Sequence, residues 1–401
     1  MNVSRNTKAE SPENAFLNRR ASLALAVAAL FLSSIAIPFA DKLYVAYPIA
    51  FLLLFYVAFC SRRIWNILAF FLVFGLCSLF GSIAAGLVAV ALYVALASGA
   101  HLTLSCKTPV FALLTSAVAF GLAALLSGGL LARALPALFP LPAYLLLSLA
   151  YARRERRSIL VLSAQFGFLA VVIALAVVYF VKTYGSLDRE TILSVAESFR
   201  ATLFDSAKLL REELLTSFAE AELEVPAIWE KLLADDSLES VIRQLTILLP
   251  GLTALLCGLL AFFGQSLLLS VLQNEGDEFS KSSEAILLVL GIPSAVCYLA
   301  ASLLLLLLNA SSLPYAVAEN LRLILLLPFC FSGLQRLVGL MILSPKGGRW
   351  FFLVLFLSLC CCLSVGAAEL LAFYAAFDTI FTPIRAKILQ SRNSSGGGED
   401  D

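Results

Sequence analysis

Charged side chains are scarce in this sequence. Asp, Glu, Lys and Arg make up 14% of the 401 residues, against about 25% in an average soluble protein. Apolar residues reach 61%, and the formal net charge is only +1. Without a strong field over the whole molecule, nothing attracts nucleic acid. The composition excludes an ordinary soluble protein and predicts a membrane protein that has the lipid bilayer, and no nucleic acid, as a partner.

Residues that carry catalysis and metal binding are equally few. The single histidine, His101, excludes catalytic histidine pairs and His-rich metal sites. The nine cysteines lie in apolar stretches or at their edges, without the CxxC pairs of a zinc site or the aqueous positions of a disulfide framework. GxSxG, HExxH and P-loop motifs do not occur. We therefore expect no enzyme, no metal and no cofactor.

Long apolar segments dominate the chain instead. A helix rises about 1.5 Å per residue, so about 20 apolar residues cross the hydrocarbon core of about 30 Å. The sequence predicts an all-α, polytopic transmembrane helix bundle with ten or eleven crossings. The segments are 21–40, 43–60, 64–80, 82–100, 108–131, 136–151, 158–182, 246–273, 285–308, 321–344 and 350–376.

Two of these segments are open to other readings. Residues 64–100 carry no charge over 37 positions, and we divide them at Phe80-Gly81-Ser82, where Gly and Ser permit a tight turn. Residues 136–151 form a short segment with Pro136, Pro140 and Pro142 near its start, so a half-helix or a re-entrant piece is the alternative there. Arg19-Arg20 before an apolar run also resembles a secretory signal, although we favour a retained first helix.

A polar insertion at 183–245 separates the two groups of apolar segments. Within it, residues 192–222 place Phe199, Leu203 and Leu210 on one helical stripe. This predicts an amphipathic helix that lies on the outer leaflet or over the bundle, with a lid or a partner-docking surface as the alternative. The resulting division is a disordered leader at 1–18, membrane helices at 19–182, the external insertion at 183–245, membrane helices at 246–388 and a flexible tail at 389–401.

Basic residues indicate the orientation, because Lys and Arg concentrate in short cytoplasmic loops. Arg19-Arg20, Arg62-Arg63 and the cluster 153–157 fall on one side of the predicted topology. The insertion at 183–245 falls on the other side and carries thirteen acidic and six basic residues. We expect a bacterial cytoplasmic (inner) membrane protein with a cytoplasmic N-terminus. Eleven crossings would place the basic C-terminal residues outside, which leaves the crossing count open.

Polar side chains inside apolar segments are costly and typically functional. They are concentrated in the last four segments. The candidate ligand-binding residues are Asn320, Arg322, Gln335, Arg336, Glu369 and Asp378. For Glu369 we predict an ion pair with Arg322, and Arg336 is the second choice of partner. His101 is interpreted as an interfacial residue.

A family resemblance rests on the C-terminal half. Leu248-Leu249-Pro250-Gly251 after an amphipathic insertion, Asn320 followed by Gly333, and Phe377-Asp378-Thr379-Ile380-Phe381 with Arg385 resemble the YybS-like uncharacterised membrane proteins of bacteria. Where that family usually has a glycine before the aspartate, this sequence has Tyr374-Ala375-Ala376. The resemblance spans most of residues 18–388. It implies N-terminal helices similar to the substrate-binding subunits of energy-coupling-factor transporters.

Two functions remain open at this point. The first is a transport-related protein that binds a small molecule from the outer side of the membrane; it would need a separate ATPase, as an energising module, or an ion gradient. The second is a non-catalytic scaffold for cell-envelope machinery, with envelope-assembly proteins as partners. The few buried polar groups in the first seven segments favour the scaffold, and the prolines of the later segments favour transport.

Overall fold

The structure is a computed structural model that describes residues 12–80, 82–185, 188–220, 234–309, 312–343 and 365–395. Within these ranges every regular element is a helix and no strand occurs, which confirms the predicted all-α class. The helices are α1 (Pro12–Ala36), α2 (Leu43–Ser61), α3 (Ile64–Phe80), α4 (Ile83–Ser105), α5 (Val110–Leu126), α6 (Leu131–Ala134), α7 (Leu141–Ala152), α8 (Arg157–Tyr184), α9 (Arg189–Glu220), α10 (Asp235–Asn274), α11 (Ser283–Ile286), α12 (Ile292–Leu307), α13 (Leu313–Leu343) and α14 (Val365–Ser395). Short 3-10 turns occupy Leu135–Leu138 and Phe279–Lys281.

Ten apolar helical stretches account for the membrane segments of the described chain. Seven are long and apolar enough to cross a membrane, and three are shorter. They overlap ten of the eleven predicted segments. The eleventh, 350–376, lies outside the described residues up to position 364, and its remainder belongs to α14. The chain is a multi-pass membrane protein.

The two ambiguous segments are resolved by local chemistry. The uncharged stretch 64–100 forms two helices as predicted, and the Ser82 hydroxyl accepts a 3.3 Å hydrogen bond from the backbone N–H of Ala85 at the start of α4. Gly81, part of the predicted turn, lies outside the described residues. The stretch 131–152 is interrupted by a 3-10 turn at its prolines. Proline lacks the N–H that continues a helix, so this stretch does not form one continuous helix. Its last 12 residues form the regular helix α7, about half the length of a full crossing.

The chain forms two compact units, of which the first comprises 1–171, 256–296 and 326–401. Its centre is α4, which is mostly buried and packs against α1, α3 and α7. Small residues permit this close packing: a Cβ at Gly99 would stand 2.5 Å from a ring carbon of Tyr144. Ala26 and Leu30 of α1 are fully buried. The first helix is therefore part of the core, which favours the retained helix over a cleaved signal.

The second unit comprises 172–255 and 297–325 and contains α9. The predicted amphipathic helix is confirmed over 192–220; residues 221–222 lie outside the described chain. No residue of α9 is buried, and Leu210 on its apolar stripe is 60% exposed. A 2.5 Å ion pair between Arg200 and Glu239 joins α9 to α10. Phe199 and Leu210 of the stripe are exposed and Leu203 is half-buried, so part of the stripe is available to lipid or another protein.

Several predicted boundaries are wrong. The crossing predicted at 285–308 is not one continuous helix: residues 287–291 are not helical and separate α11, which ends at Ile286, from α12, which begins at Ile292. Pro293 marks the start of α12, because proline is tolerated in the first turn of a helix, where its missing N–H would have no partner within the helix. The predicted leader 1–18 is helical from Pro12, and the predicted tail 389–401 is helical as far as Ser395. The predicted boundary between the insertion and the next membrane segment, at 245–246, lies inside a helix, because α10 runs unbroken from Asp235 to Asn274.

Candidate functional site

A pocket of about 790 Å³ lies in the first unit, at the ends of α1, α4, α7 and α10. Drug-sized ligand sites typically measure about 300–1,000 Å³. Five charged side chains line the pocket: Arg19, Lys107, Arg154, Glu275 and Asp277. Apolar side chains, including Leu104, Leu145, Leu149 and Leu272, form another part of its wall. The lining is therefore amphipathic, with more cations than carboxylates.

Three helix ends place the charged residues around this pocket. After the ends of α4, α7 and α10, the chain turns through left-handed residues: Lys107 (φ 55°), Arg154 (φ 56°) and Gly276 (φ 88°). Helices commonly end in this way, because it satisfies their last carbonyl groups. The N–H of Arg154 donates to the carbonyl of Tyr151 at 2.8 Å, and the N–H of Asp277 donates to that of Leu272 at 3.0 Å.

His101 and Glu275 form a buried pair beside the pocket. His101 Nε2 lies 2.8 Å from Glu275 Oε1; the side chains are 0% and 12% exposed. Burial raises the pKa of Glu275, but the hydrogen bond and charge of His101, with smaller contributions from Ser22 and Arg19, outweigh burial and leave that pKa below its ordinary value. His101 lies in the last turns of α4, near the end of its segment, and its side chain is enclosed in the protein; its interpretation as an interfacial residue stays a prediction.

Asp277 is also held by neighbouring groups. Its carboxylate accepts a 2.5 Å hydrogen bond from the Tyr151 hydroxyl and a 2.8 Å hydrogen bond from the backbone N–H of Ser280. The ring of Tyr151 packs edge-on against Phe279, with 5.1 Å between the ring centroids. These contacts fasten the loop after α10 to α7.

The cations of the pocket are engaged differently. Both carboxylates already have partners, whereas the side chains of Arg19, Lys107 and Arg154 are exposed and make no ion pair or hydrogen bond with another described residue. A group with negative charge would therefore meet three available cations and two carboxylates whose charge is already partly compensated.

Arg157 supports the non-helical segment 287–291. Its side chain is buried and donates to the carbonyl of Ile286, to Gln265 Oε1 at 3.2 Å and to the Ser266 hydroxyl at 2.8 Å. The guanidinium also lies over the Phe262 ring, 4.6 Å from its centroid. In the described chain no carboxylate pairs with it. Backbone polar groups inside a membrane must be satisfied by protein, and Arg157 satisfies one here.

Gln335, a predicted site residue, completes this support. Its Oε1 accepts a 2.9 Å hydrogen bond from the N–H of Leu288, and its Nε2 donates to the carbonyl of Ile286 at 3.4 Å. The amide therefore replaces helical hydrogen bonds that the break removes. The side chain of Gln335 therefore has hydrogen-bond partners within the protein, the backbone groups of Leu288 and Ile286.

Asn320, another predicted site residue, repairs a different helix. Pro250 interrupts the hydrogen-bond ladder of α10 because it has no N–H. Next to it, Asn320 Oδ1 accepts from the N–H of Gly251 at 2.6 Å, and its Nδ2 donates to the carbonyl of Ile247 at 2.9 Å. In a regular helix these two backbone groups would bond each other. A Cβ at position 251 would stand 2.6 Å from Asn320 Oδ1, so only glycine leaves room for the amide.

Three of the four remaining predicted site residues, Arg322, Arg336 and Asp378, form ion pairs in the structure. Arg336 pairs with Asp378, and also donates to the Thr379 hydroxyl at 2.9 Å and to the carbonyl of Ala375 at 3.2 Å. Arg322 pairs with Glu319 at 2.7 Å. The predicted contact between Arg322 and Glu369 stays a prediction. Asn320, Gln335 and Arg336 thus serve three separate contacts rather than one shared site, and their role in ligand binding also stays a prediction.

Sequence reasoning missed Glu275 and Asp277, because they follow a long helix in a charged loop that looks solvent-exposed. The one available signal was His101, whose polar ring needs a partner if it lies at the end of an apolar helix. In the residues that the structure describes, no group of three or more His, Cys, Asp or Glu side chains is arranged to hold a metal ion.

Comparison with known proteins gives no relative: no family model, no curated protein and no solved structure matches this chain. The YybS-like resemblance therefore stays a prediction, and function has to be argued from the pocket.

Proposed function

We propose that this multi-pass membrane protein binds a small molecule in the pocket between α1, α4, α7 and α10, and that this binding serves a transport-related role. The observation that carries the proposal is the pocket itself, about 790 Å³ with a lining of charged, hydroxyl and leucine side chains. Concave sites with an apolar wall and a few convergent polar groups are the usual form of small-molecule sites.

The proposal assigns this pocket to the cytoplasmic side of a bacterial inner membrane. Arg19, Lys107 and Arg154 line it, and Arg63 donates to Gln273, two residues before Glu275. Basic residues of short loops gather on the cytoplasmic side. The N-terminus is then cytoplasmic, and ligand binding moves from the outer side, which the sequence suggested, to the inner side.

The non-helical segment 287–291 supports the transport part of the proposal. Interrupted helices whose backbone is satisfied by side chains recur in transporters, and Arg157 and Gln335 satisfy the backbone here. A separate ATPase or an ion gradient supplies the energy in this proposal.

The scaffold function remains the alternative, because α9 favours it. All residues of this 32-residue helix are at least partly exposed, including its apolar stripe. Such a face suits an envelope-assembly protein as well as it suits lipid.

The first prediction tests the pocket by filling it. Thr108→Trp places a large ring on an exposed lining residue, and we expect the purified protein to retain at most about one tenth of the parent's bound small molecule, because a misplaced bulky group costs at least about 1.4 kcal/mol of binding. Mass spectrometry of molecules released from the detergent-purified protein measures this. Leu114→Trp, on the 59%-exposed outer face of α5, is the control.

Equal ligand content in Thr108→Trp and Leu114→Trp would contradict the proposal. If envelope-assembly proteins copurify with the parent and no small molecule is released, the scaffold function is favoured instead.

A further inference from the structure

Three cations line the pocket; the charge of one of them, Arg19, acts on Glu275, but none of the three forms an ion pair with a carboxylate of the described chain. Arg19, Lys107 and Arg154 lie on three different segments, α1 and the loops after α4 and α7, yet line the same cavity. None of their side chains bonds another described residue. Like charges gathered around one cavity repel each other unless an anion joins them.

The carboxylates of the pocket do not supply that anion. Glu275 is 12% exposed and pairs with His101, and Asp277 accepts from the Tyr151 hydroxyl and the Ser280 N–H. One oxygen of each carboxylate, Glu275 Oε1 and Asp277 Oδ2, is engaged by these partners, and three cations face two carboxylates around the lining.

The other part of the wall is apolar. Leu104, Leu145, Leu149 and Leu272 line the same cavity as the cations. These leucines belong to three apolar helices, α4, α7 and α10. A ligand complementary to the whole pocket therefore combines a negatively charged group with an apolar portion.

We propose that the pocket binds a phosphate-bearing amphiphile, with its phosphate among Arg19, Lys107 and Arg154 and its apolar portion against the leucines. This inference rests on the proposed function and names its ligand class. Guanidinium and ammonium groups are the usual partners of phosphate in proteins. Basic pockets on the cytoplasmic side of membrane proteins bind the headgroups of anionic lipids in the same way.

The test measures binding of dioctanoyl phosphatidic acid to the full-length, detergent-purified protein by native mass spectrometry. Dioctanoyl phosphatidylcholine has the same chains but a neutral headgroup, and we expect it to bind at least tenfold more weakly. Arg154→Gln and Lys107→Gln should each weaken phosphatidic acid binding about fivefold, because each basic residue near anionic lipid contributes about 1 kcal/mol.

Arg156→Gln is the matched control. It removes the same charge from the same loop, but Arg156 is exposed and does not line the pocket. Binding should be unchanged in this variant. Higher salt should weaken binding by the parent and have less effect in Arg154→Gln, because ionic screening acts on the charge that the variant lacks.

A second arm identifies the source of the phosphate. Competition by inorganic phosphate or glycerol 3-phosphate at millimolar concentration assigns the site to a soluble phosphate ester, whereas phosphatidic acid binding without such competition assigns it to a membrane lipid. The second result supports the amphiphile; the first keeps the phosphate among the cations but overturns the role given to the leucines.

The inference is overturned if the two lipids bind equally, or if Arg154→Gln and Lys107→Gln bind like Arg156→Gln. The cations would then only offset the negative helix ends at the pocket. In that case Thr108→Trp still decides the proposed function: loss of a bound neutral molecule would keep the pocket as a ligand site.

Discussion

His101 and Glu275 show what one buried pair does at the residue scale. An imidazole with no exposed side-chain surface needs a hydrogen-bond partner, and Glu275 supplies it from 174 positions further along the chain. The pair also stabilises Glu275, because burying a carboxylate without a partner is strongly unfavourable. The pair therefore joins the end of α4 to the end of α10 at the margin of the pocket.

The prediction at this scale concerns acid stability. Because the pKa of Glu275 is lowered in the folded protein, the unfolded chain takes up this proton first, and the resulting stability is present above the ordinary pKa of 4.5 and is lost as the pH falls through the lowered value. Glu275→Gln should lower the free energy of unfolding by about 1.5–3 kcal/mol at pH 7, which is the usual contribution of a hydrogen bond to a charged group. In this variant the folding stability should also fall less steeply as the pH drops below 4.5. Thermal unfolding in detergent across this pH range measures both effects.

Glu278→Gln is the control for this experiment, since Glu278 is an exposed carboxylate of the same loop. Should the two variants show the same acid profile, the stabilising role of the His101–Glu275 pair would be refuted.

At the scale of elements, helices approach each other closely where glycine replaces a side chain. A Cβ at Gly333 of α13 would stand 2.4 Å from the carbonyl oxygen of Leu371 on α14. A backbone oxygen cannot move aside as the end of a flexible side chain can. By contrast, a Cβ at Gly339, on the same helix, would meet nothing within 4 Å.

Gly333→Ala should therefore destabilise the protein by about 1–3 kcal/mol, the usual cost of overpacking. Gly339→Ala, its matched control, should leave stability unchanged or raise it by up to about 1 kcal/mol, because alanine favours helix. Thermal unfolding of the two purified variants compares them directly. Equal stabilities would mean that α13 and α14 are not in close contact at Leu371.

At the scale of the whole molecule, the basic loops determine the expected orientation. Helix α8 has 28 residues and is therefore about 42 Å long, enough to cross a membrane. The residues before it and after it then lie on opposite sides. The basic cluster 153–157 precedes α8, and the acidic insertion follows it.

We expect an impermeant maleimide to label Ser217→Cys and not Ser158→Cys in intact cells, above the background of the parent protein. Ser217 is exposed on α9, and Ser158 lies at the start of α8. Permeabilised cells provide the control, since both sites should then react. Labelling of Ser158→Cys alone would reverse the orientation and place the pocket outside.

The sequence by itself determined where the membrane helices lie. Length and apolarity are local properties, so ten segments could be placed and the uncharged stretch 64–100 could be divided next to Ser82, whose side chain caps α4. Prolines marked the interruption in 131–152 for the same reason. The amphipathic character of α9 also follows from spacing alone, although spacing does not say what covers its stripe.

Only the tertiary structure decided the site. His101 meets Glu275 across 174 positions and Arg157 meets Ile286 across 129, and no local pattern encodes such contacts. The same holds for Asn320, which the sequence predicts as a ligand-binding residue and whose amide bridges two backbone groups of α10 beside Pro250. A polar side chain in an apolar helix must find a partner, and sequence shows that requirement; which partner meets it depends on how the helices pack.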